Sequence, residues 1–287
     1  MRPGGHAWIA ALALLARASA AAPAPPLVPE WLEKDRALAE SWKPPVDPGE
    51  LSPRAVLENL HVVPSPVDTA KDLGYGLQLV HGRRPGGYCS GRASLLAHGG
   101  RVAQMRIALE CSEKAWPALA ARIADTWGAH GQELGTTSFR GREVVWTHDA
   151  RMAAVRRVVS EDLGAPDPAE VPAKLAGAVE ELTSPFRGTD VSFTGGCYFG
   201  GTDPSGKKAM DALVKAKRWD LVRAVARGLN PEGRVYAAHA LASLPADRRT
   251  PADRAVIGRI RALPVAIRVC QGCKVTTRPA DQLLSTP

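Results

Sequence analysis

The five cysteines constrain the fold of this chain more strongly than any other feature of its sequence. Cys89 and Cys111 flank two apolar segments, GRASLLA and RVAQMRIALEC, that meet at Gly99-Gly100. Apolar segments on either side of a Gly-Gly turn are typical of a β-hairpin. Such a hairpin places residue 89 opposite about residue 110, where cross-strand neighbours are close enough for a disulfide. We therefore expect a Cys89–Cys111 bond.

The other three cysteines lie towards the C-terminus, and their spacing permits three interpretations. The C-x-x-C spacing of Cys270 and Cys273 occurs in thiol-disulfide oxidoreductases, where a helix N-terminus activates one thiol, but here the strand-like KVTTR follows. A zinc site is the second alternative, since zinc binds about four sulfur or nitrogen ligands. Its candidate ligands are Cys197, Cys270, Cys273 and His239. We favour a structural role, in which Cys197 bonds Cys270 or Cys273, or these two bond each other, and the C-terminal segment is held in place.

The first 20 residues have the features of a secretory signal peptide. The basic Arg2 precedes an apolar segment, residues 7–15, and the small residues Ala18, Ser19 and Ala20 follow. This pattern predicts cleavage near Ala20 and a secreted or periplasmic protein; the alternative is an N-terminal anchor that is kept. Since no later segment has about 18 consecutive apolar residues, we expect no stable membrane insertion after signal removal.

The charge distribution argues against a nucleic-acid partner. The chain has 37 basic and 29 acidic side chains, for a formal net charge of +8. The basic residues are spread along the chain and form no stripe with interleaved aromatic residues, which a nucleic-acid interface would require.

Residues 21–52 separate the predicted signal peptide from the folded part of the chain. They are rich in Pro and Ala, which favours extended, exposed chain. We interpret this segment as a flexible lead-in. The alternative is a helix over residues 29–42 that docks through Trp31, Leu38 and Trp42.

Residues 53–160 predict a small α+β domain, in which one helix packs on an antiparallel sheet. After the hairpin, Trp116, Leu119, Ile123 and Trp127 recur at spacings of three and four, which is typical of an amphipathic helix. The segments GTTSF and REVVWTH then favour strands. The alternation in MAAVRRVVS favours a further strand, with a helix as the alternative.

Residues 161–190 read as a Pro-interrupted connector, and residues 191–287 as a helical domain that ends in the Cys-x-x-Cys tail. Three helix starts share one pattern, a capping side chain followed by proline at the first helical position. They are Asp203-Pro204, Asn230-Pro231 and Thr250-Pro251. The predicted helices cover residues 204–216, 219–228, 231–244 and 251–262.

Two of these helices resemble a known repeat. RVYAAHALASL, residues 234–244, resembles the second helix of a HEAT-type repeat, and the preceding WDLVRAVARGL is similar to its partner helix. The resemblance, over about residues 204–262, implies a short α-solenoid of a class that normally binds other proteins. The candidate interaction surface is the face that carries Arg223, Arg227 and Arg234.

No motif in the sequence identifies a reaction. GTDPSGKK, residues 201–208, has P-loop spacing but carries Lys208 where Ser or Thr would bind Mg²⁺. We predict no catalytic residues, no cofactor and no resident metal. The predicted function is non-catalytic binding of another protein or an envelope component. The alternatives are a thiol-disulfide oxidoreductase that uses Cys270 and Cys273, and a zinc-stabilised interaction module.

Overall fold

The structure, a computed structural model, describes most of the chain beyond residue 26. The described residues are 27–43, 45, 47–62, 70–127, 132–135, 139–165, 169–187, 191–193, 197, 201–272 and 274–284. The predicted signal peptide and Cys273 lie outside them. Within the described part, no helix combines the length and apolar character needed to cross a membrane.

The protein has a mixed α+β fold in which a six-stranded antiparallel sheet precedes a group of helices. The sheet order is β1-β2-β3-β4-β6-β5. The strands are β1 Lys71–Gly74, β2 Leu77–Pro85, β3 Cys89–His98, β4 Arg101–Ser112, β5 Gln132–Gly135 and β6 Phe139–Thr147. Helices α1 Pro29–Ser41 and α2 Pro53–Asn59 precede the sheet, with a 3₁₀ turn at Pro48–Glu50 between them; α3 Trp116–Trp127 lies between β4 and β5, and α4 Asp149–Leu163 follows β6.

One face of the sheet packs against α1, α2 and α3. Alternate residues of β3 and β4, among them Leu95 and Ile107, are buried there beside Leu119 and Ile123 of α3. This alternation is what one buried sheet face requires. The hairpin is confirmed: Cys89 lies directly opposite Cys111 and the two form a disulfide.

The flexible lead-in was the wrong choice for residues 29–41, which form α1. Leu38 and Trp42 are buried in the core under the sheet, and Trp31, although exposed, contacts the ring of Tyr88 edge-on. The buried carboxylate of Asp35 accepts hydrogen bonds from the backbone N–H groups of residues 87, 88 and 89, at 2.7, 2.8 and 3.0 Å. Burial of these side chains holds the segment in place, whatever its proline content.

The opposite sheet face is covered at one end by α4. Met152 and Val155 of α4 pack on Leu79 and Leu96 of the sheet. The strand predicted for residues 152–160 is therefore wrong. Met152, Val155, Val159 and Leu163 are buried at helical spacings, and the alternation between residues 153 and 159 is a coincidence of that pattern.

The four predicted helices of the C-terminal half lie within two residues of their predicted ends. They are α6 Ser205–Lys215, α7 Trp219–Ala226, α8 Pro231–Ala242 and α9 Pro251–Ala262. Residues 161–190, predicted as a connector, contain a further helix, α5 Ala173–Thr183, whose Leu175 and Leu182 are buried in the same core. A two-stranded sheet, β7 Ala266–Gln271 and β8 Lys274–Pro279, and the short helix α10 Ala280–Leu284 complete the chain. Every residue of α8 from Pro231 to Ala238 is buried, so this helix is the centre of the C-terminal core.

Two of the three predicted helix caps are confirmed. The side chain of Asn230 accepts hydrogen bonds from the N–H groups of residues 232 and 233, and Thr250 forms a capping box with Asp253. The third is wrong, because α6 begins after Pro204 without a side-chain cap. Asp203 bonds Lys207 instead, at 3.2 Å.

Charged side chains of α8 join the sheet to the helices. Glu232, which is fully buried, accepts from Lys71 Nζ of β1 at 2.6 Å and from the N–H of Arg268 in β7 at 3.1 Å. The hydroxyl of Tyr75, at the turn between β1 and β2, donates to Asp162 of α4 at 2.7 Å. The two halves of the chain therefore share a buried polar junction.

Candidate functional site

The arginines predicted as an interaction surface donate hydrogen bonds to other residues of the same chain. Arg234 is fully buried, and its guanidinium donates to the carbonyl oxygens of residues 228, 229 and 73 at 2.7, 3.0 and 3.2 Å. Arg223 donates to both carboxylate oxygens of Asp253. Arg227 donates to the carbonyl oxygen of Leu163 at 3.1 Å. The prediction of an exposed face is wrong for Arg234, because α8 has other elements on all its sides along its first two turns.

The tail cysteines take one of the predicted structural pairings. Cys197 forms a disulfide with Cys270 of β7, and both residues are buried. Among the described residues there is no group of His, Cys, Asp and Glu side chains that could hold a metal ion. His239, the fourth zinc candidate, lies instead in a cleft between the helices.

This cleft, which we call the helical cleft, has a volume of about 450 Å³ and opens between α6, the start of α7 and α8. Four of its lining residues are aromatic, and we call these the aromatic wall; several others are aliphatic. The aromatic lining residues are Phe193, Trp219, Tyr236 and His239; the aliphatic ones include Met210, Val214 and Leu244. Concave sites with apolar walls and a few polar groups are the usual form of binding sites in proteins.

The aromatic wall is built on Phe193. Its ring stacks on the imidazole of His239 with 4.1 Å between centroids, and it meets the ring of Tyr236 edge-on at 5.6 Å. Burial by its neighbours lowers the pKa of His239 below its usual value of 6.5. The imidazole is therefore uncharged at neutral pH and acts as part of an apolar, aromatic surface.

Phe193 is held in this position by the tail. The N–H of Val191 donates to the carbonyl of Arg268 at 2.8 Å, and the N–H of Cys270 donates to the carbonyl of Val191 at 2.9 Å. The N–H of Ser192 donates to the hydroxyl of Tyr236 at 2.9 Å. Since Cys270 is also bonded to Cys197, the disulfide fastens the strand that positions Phe193.

The rim of the helical cleft is charged. Lys207 donates to Asp211 at 2.9 Å and to Asp203 at 3.2 Å, and these hydrogen bonds raise the pKa of its ammonium group. Across the cleft, Arg248 is exposed, and its guanidinium makes no hydrogen bond to another described residue. The cleft therefore presents an apolar interior beside a cation that is available to an acidic group.

Comparison of the chain with protein-family models, with curated proteins and with solved structures found no match in any of the three. Of the wall residues, only His239 was a candidate from the sequence. Phe193 was missed because the bonds that place it come from residues about 75 positions further along the chain. Trp219 and Tyr236, in the segments WDLVRAVARGL and RVYAAHALASL, were local signals of an aromatic site.

Proposed function

We propose that this chain is a non-catalytic, secreted or periplasmic protein-binding module. Its helical cleft would bind an extended segment of a partner protein. The observation that carries the proposal is the aromatic wall of Phe193, Trp219, Tyr236 and His239, which lines an open cleft although the first two turns of α8 are buried. Aromatic residues are enriched in the energetically important positions of protein interfaces.

The size and rim of the cleft favour a short peptide segment over a large flat interface. A volume of about 450 Å³ accommodates one or two apolar side chains of a partner. An acidic residue next to them would contact Arg248, which gives the segment a preferred direction. We expect the bound motif to combine an aromatic or large aliphatic residue with a neighbouring Asp or Glu.

The placement of the helices agrees with the HEAT-like interpretation. Helices α7 and α8, which are consecutive in the chain, contact each other, and α8 also contacts α6 and α9. Stacked helix pairs of this kind typically bind protein segments on one of their surfaces. The helical cleft would be that surface in this chain.

The two disulfides support an oxidising compartment, because such bonds persist mainly in secreted and periplasmic proteins. They also make the oxidoreductase alternative less attractive. Thiol-disulfide exchange requires a thiolate to reach a sulfur atom, whereas Cys197 and Cys270 are 0% and 1% exposed. The same bond uses two of the four thiol and imidazole groups that the zinc alternative needs.

The proposal is tested by selecting peptides from a random dodecapeptide phage library against the full mature chain. The selected peptides should share an apolar residue beside an acidic one. A synthetic copy should then bind with a measurable Kd in fluorescence anisotropy. Substitution Arg248→Glu should weaken that binding at least about tenfold, because it replaces an attraction with a repulsion.

A matched pair of substitutions at the C-terminal end of α8 gives the control. Ser243→Trp fills the cleft, while Ala242→Trp places the same side chain on the exposed neighbouring position, which does not line it. Binding should be abolished by the first and kept by the second. Equal affinities in the two variants would show that the peptides bind elsewhere and would refute the proposal.

A further inference from the structure

A second cleft lies at the junction between the sheet and the helical half. It is on the same sheet face as α4, in the part of that face that α4 does not cover. It has a volume of about 250 Å³. We call it the arginine cleft, because Arg92 of β3, Arg106 of β4 and Arg187 after α5 line it, with one carboxylate, Glu143 of β6. Ser94, Ala108 and Phe186 complete the lining.

Strand pairing explains why these side chains converge. Ser94 lies directly opposite Arg106, Arg92 is opposite Ala108, and Ala108 is opposite Glu143. Directly opposed residues of antiparallel strands point to the same face of the sheet. Five of the seven lining residues therefore stand on three adjacent strands, and pairing of these strands fixes the spacing of Arg92 and Arg106.

Each guanidinium is oriented by a carboxylate but keeps donors to spare. Arg106 is paired with Glu143, with 3.0 Å between Nη2 and Oε2, and Arg187 Nη2 donates to Glu180 at 2.8 Å. Arg92 donates to Glu110. A guanidinium has five N–H donors, so each of the three retains donors that these pairs do not use. The buried Nε of Arg187 has no hydrogen bond to another described residue.

We propose that the arginine cleft binds a small oxyanion, a phosphate or sulfate group that is either free or the monoester of a small organic molecule. Guanidinium groups match the oxygen geometry of such anions and bind them through paired hydrogen bonds. Each guanidinium already has one carboxylate partner, so the ligand would bind through the N–H donors that these pairs leave unused. Phe186, at the edge of the cleft, provides an apolar contact for the carbon part of an ester.

The test uses the full mature chain, with titrations of sodium phosphate, sodium sulfate and phenyl phosphate, each against sodium chloride at equal ionic strength. Isothermal calorimetry gives the Kd and scanning fluorimetry gives the unfolding midpoint. Phosphate or sulfate should raise the midpoint by at least about 3 °C at saturation, since a ligand that binds only the folded state stabilises it. The same rise in chloride would overturn the proposal.

Substitutions locate the site. Arg92→Gln and Arg187→Gln change side chains that are 54% and 41% exposed, so both variants should fold. Each should weaken anion binding at least about tenfold, the loss expected for a charge-assisted hydrogen bond. Arg157→Gln, at an exposed position of α4 outside the cleft, is the matched control and should keep the wild-type Kd. An unchanged Kd in the Arg92→Gln/Arg187→Gln double variant would refute the site.

Phenyl phosphate distinguishes the two forms of the ligand. If it binds more tightly than inorganic phosphate and Phe186→Ala removes the difference, the site recognises an ester through Phe186. Equal affinities for the two compounds identify the free ion as the ligand. Both results confirm an oxyanion site, whereas no saturable binding of any of the three anions overturns it.

Discussion

The sheet half and the helical half of this protein are stabilised by different kinds of contact. In the sheet half, neighbouring strands pair in register, and the Cys89–Cys111 disulfide joins residues that already lie opposite each other. In the helical half, the Cys197–Cys270 disulfide joins segments that are 73 residues apart. The central helix of that half carries the buried charged side chains Glu232 and Arg234. One half depends on local pairing and the other on contacts between distant parts of the chain.

This difference determines what each half contributes to function. Backbone pairing of the strands places two of the three guanidinium groups of the arginine cleft, those of Arg92 and Arg106. The helical cleft depends on the tail, because Phe193 is positioned by bonds to residues 268 and 270. Damage to distant contacts should therefore affect the helical cleft before it affects the sheet.

The largest effect is expected at Arg234. Its buried guanidinium donates to three backbone carbonyls and lies 5.2 Å from the ring centroid of Tyr75. Burial lowers its pKa to about 10, so it is charged at pH 7. Arg234→Met leaves these carbonyls without a donor and removes the positive charge that interacts favourably with Glu232. It should reduce the free energy of unfolding by about 3–5 kcal/mol in urea titrations.

The control is Arg157→Met, on the exposed side of α4, which should change stability by less than about 0.5 kcal/mol. A loss below about 1 kcal/mol for Arg234→Met would mean that the junction contributes little and that the two halves are stabilised independently.

Removing the two disulfides compares the two halves directly. In the chain-entropy model, a bond that closes 73 residues stabilises by about 4 kcal/mol, and one that closes 22 residues by about 3 kcal/mol. We therefore expect Cys197→Ala/Cys270→Ala to cost more than Cys89→Ala/Cys111→Ala in urea unfolding without reductant. Only the first pair should also weaken peptide binding in the helical cleft, since it releases the strand that holds Phe193.

If Cys89→Ala/Cys111→Ala instead costs more stability than Cys197→Ala/Cys270→Ala, the strands of the sheet depend on their disulfide more than the chain-entropy model predicts. Equal loss of peptide binding in the two double variants would show that the disulfide in the tail has no specific effect on Phe193.

A smaller effect is expected from the pH dependence of Asp253, the carboxylate of the α9 capping box. Burial alone would raise its pKa, but hydrogen bonds from Arg223 and from Thr250 outweigh this and lower the pKa from 3.8 to about 2. Its contribution is therefore complete above about pH 5 and is lost as the pH falls from 3.8 through 2. The amount lost is about 2 kcal/mol.

Asp253→Asn should remove this step, measured as the difference in unfolding free energy between wild type and variant at pH 6 and at pH 2. The exposed Asp247→Asn serves as control. If the wild type and Asp253→Asn show the same acid dependence, the ion pair with Arg223 does not stabilise the helical half.

The parts of the structure that the sequence predicted are those with local signals. The turn at Gly99-Gly100 determines the hairpin and its disulfide, and the caps at Asn230 and Thr250 determine where α8 and α9 begin. These signals act within a few residues, so a single sequence contains them. The α+β composition and the helix ends follow from them.

The parts that were missed depend on tertiary contacts. Arg234 was expected on an interaction surface because its helix resembles one of a HEAT-type repeat, but α8 contacts α5, α6, α7, α9 and β7. Apolar residues alternate in residues 152–160 as in a strand. The segment forms a helix, because Met152 and Val155, at helical spacing, pack on the sheet. The positions of Phe193 and of the arginine cleft result from strand and tail pairing that no local pattern encodes.

The smallest effect is expected at His239, which tests whether the helical cleft is apolar at neutral pH. Because burial lowers the pKa of His239 below 6.5, the unfolded chain takes up this proton before the folded protein does. Stability is therefore full above about pH 7 and decreases as the pH falls below 6.5. The other charged groups of the cleft, Lys207, Asp211 and Arg248, are common to wild type and variant. In His239→Phe, which keeps the stack on Phe193, the difference from wild type should grow between pH 7.5 and pH 5 in urea unfolding. A difference that is constant over this range would mean that the imidazole is as well solvated as in the unfolded chain, and that the aromatic wall is open to water where it stacks.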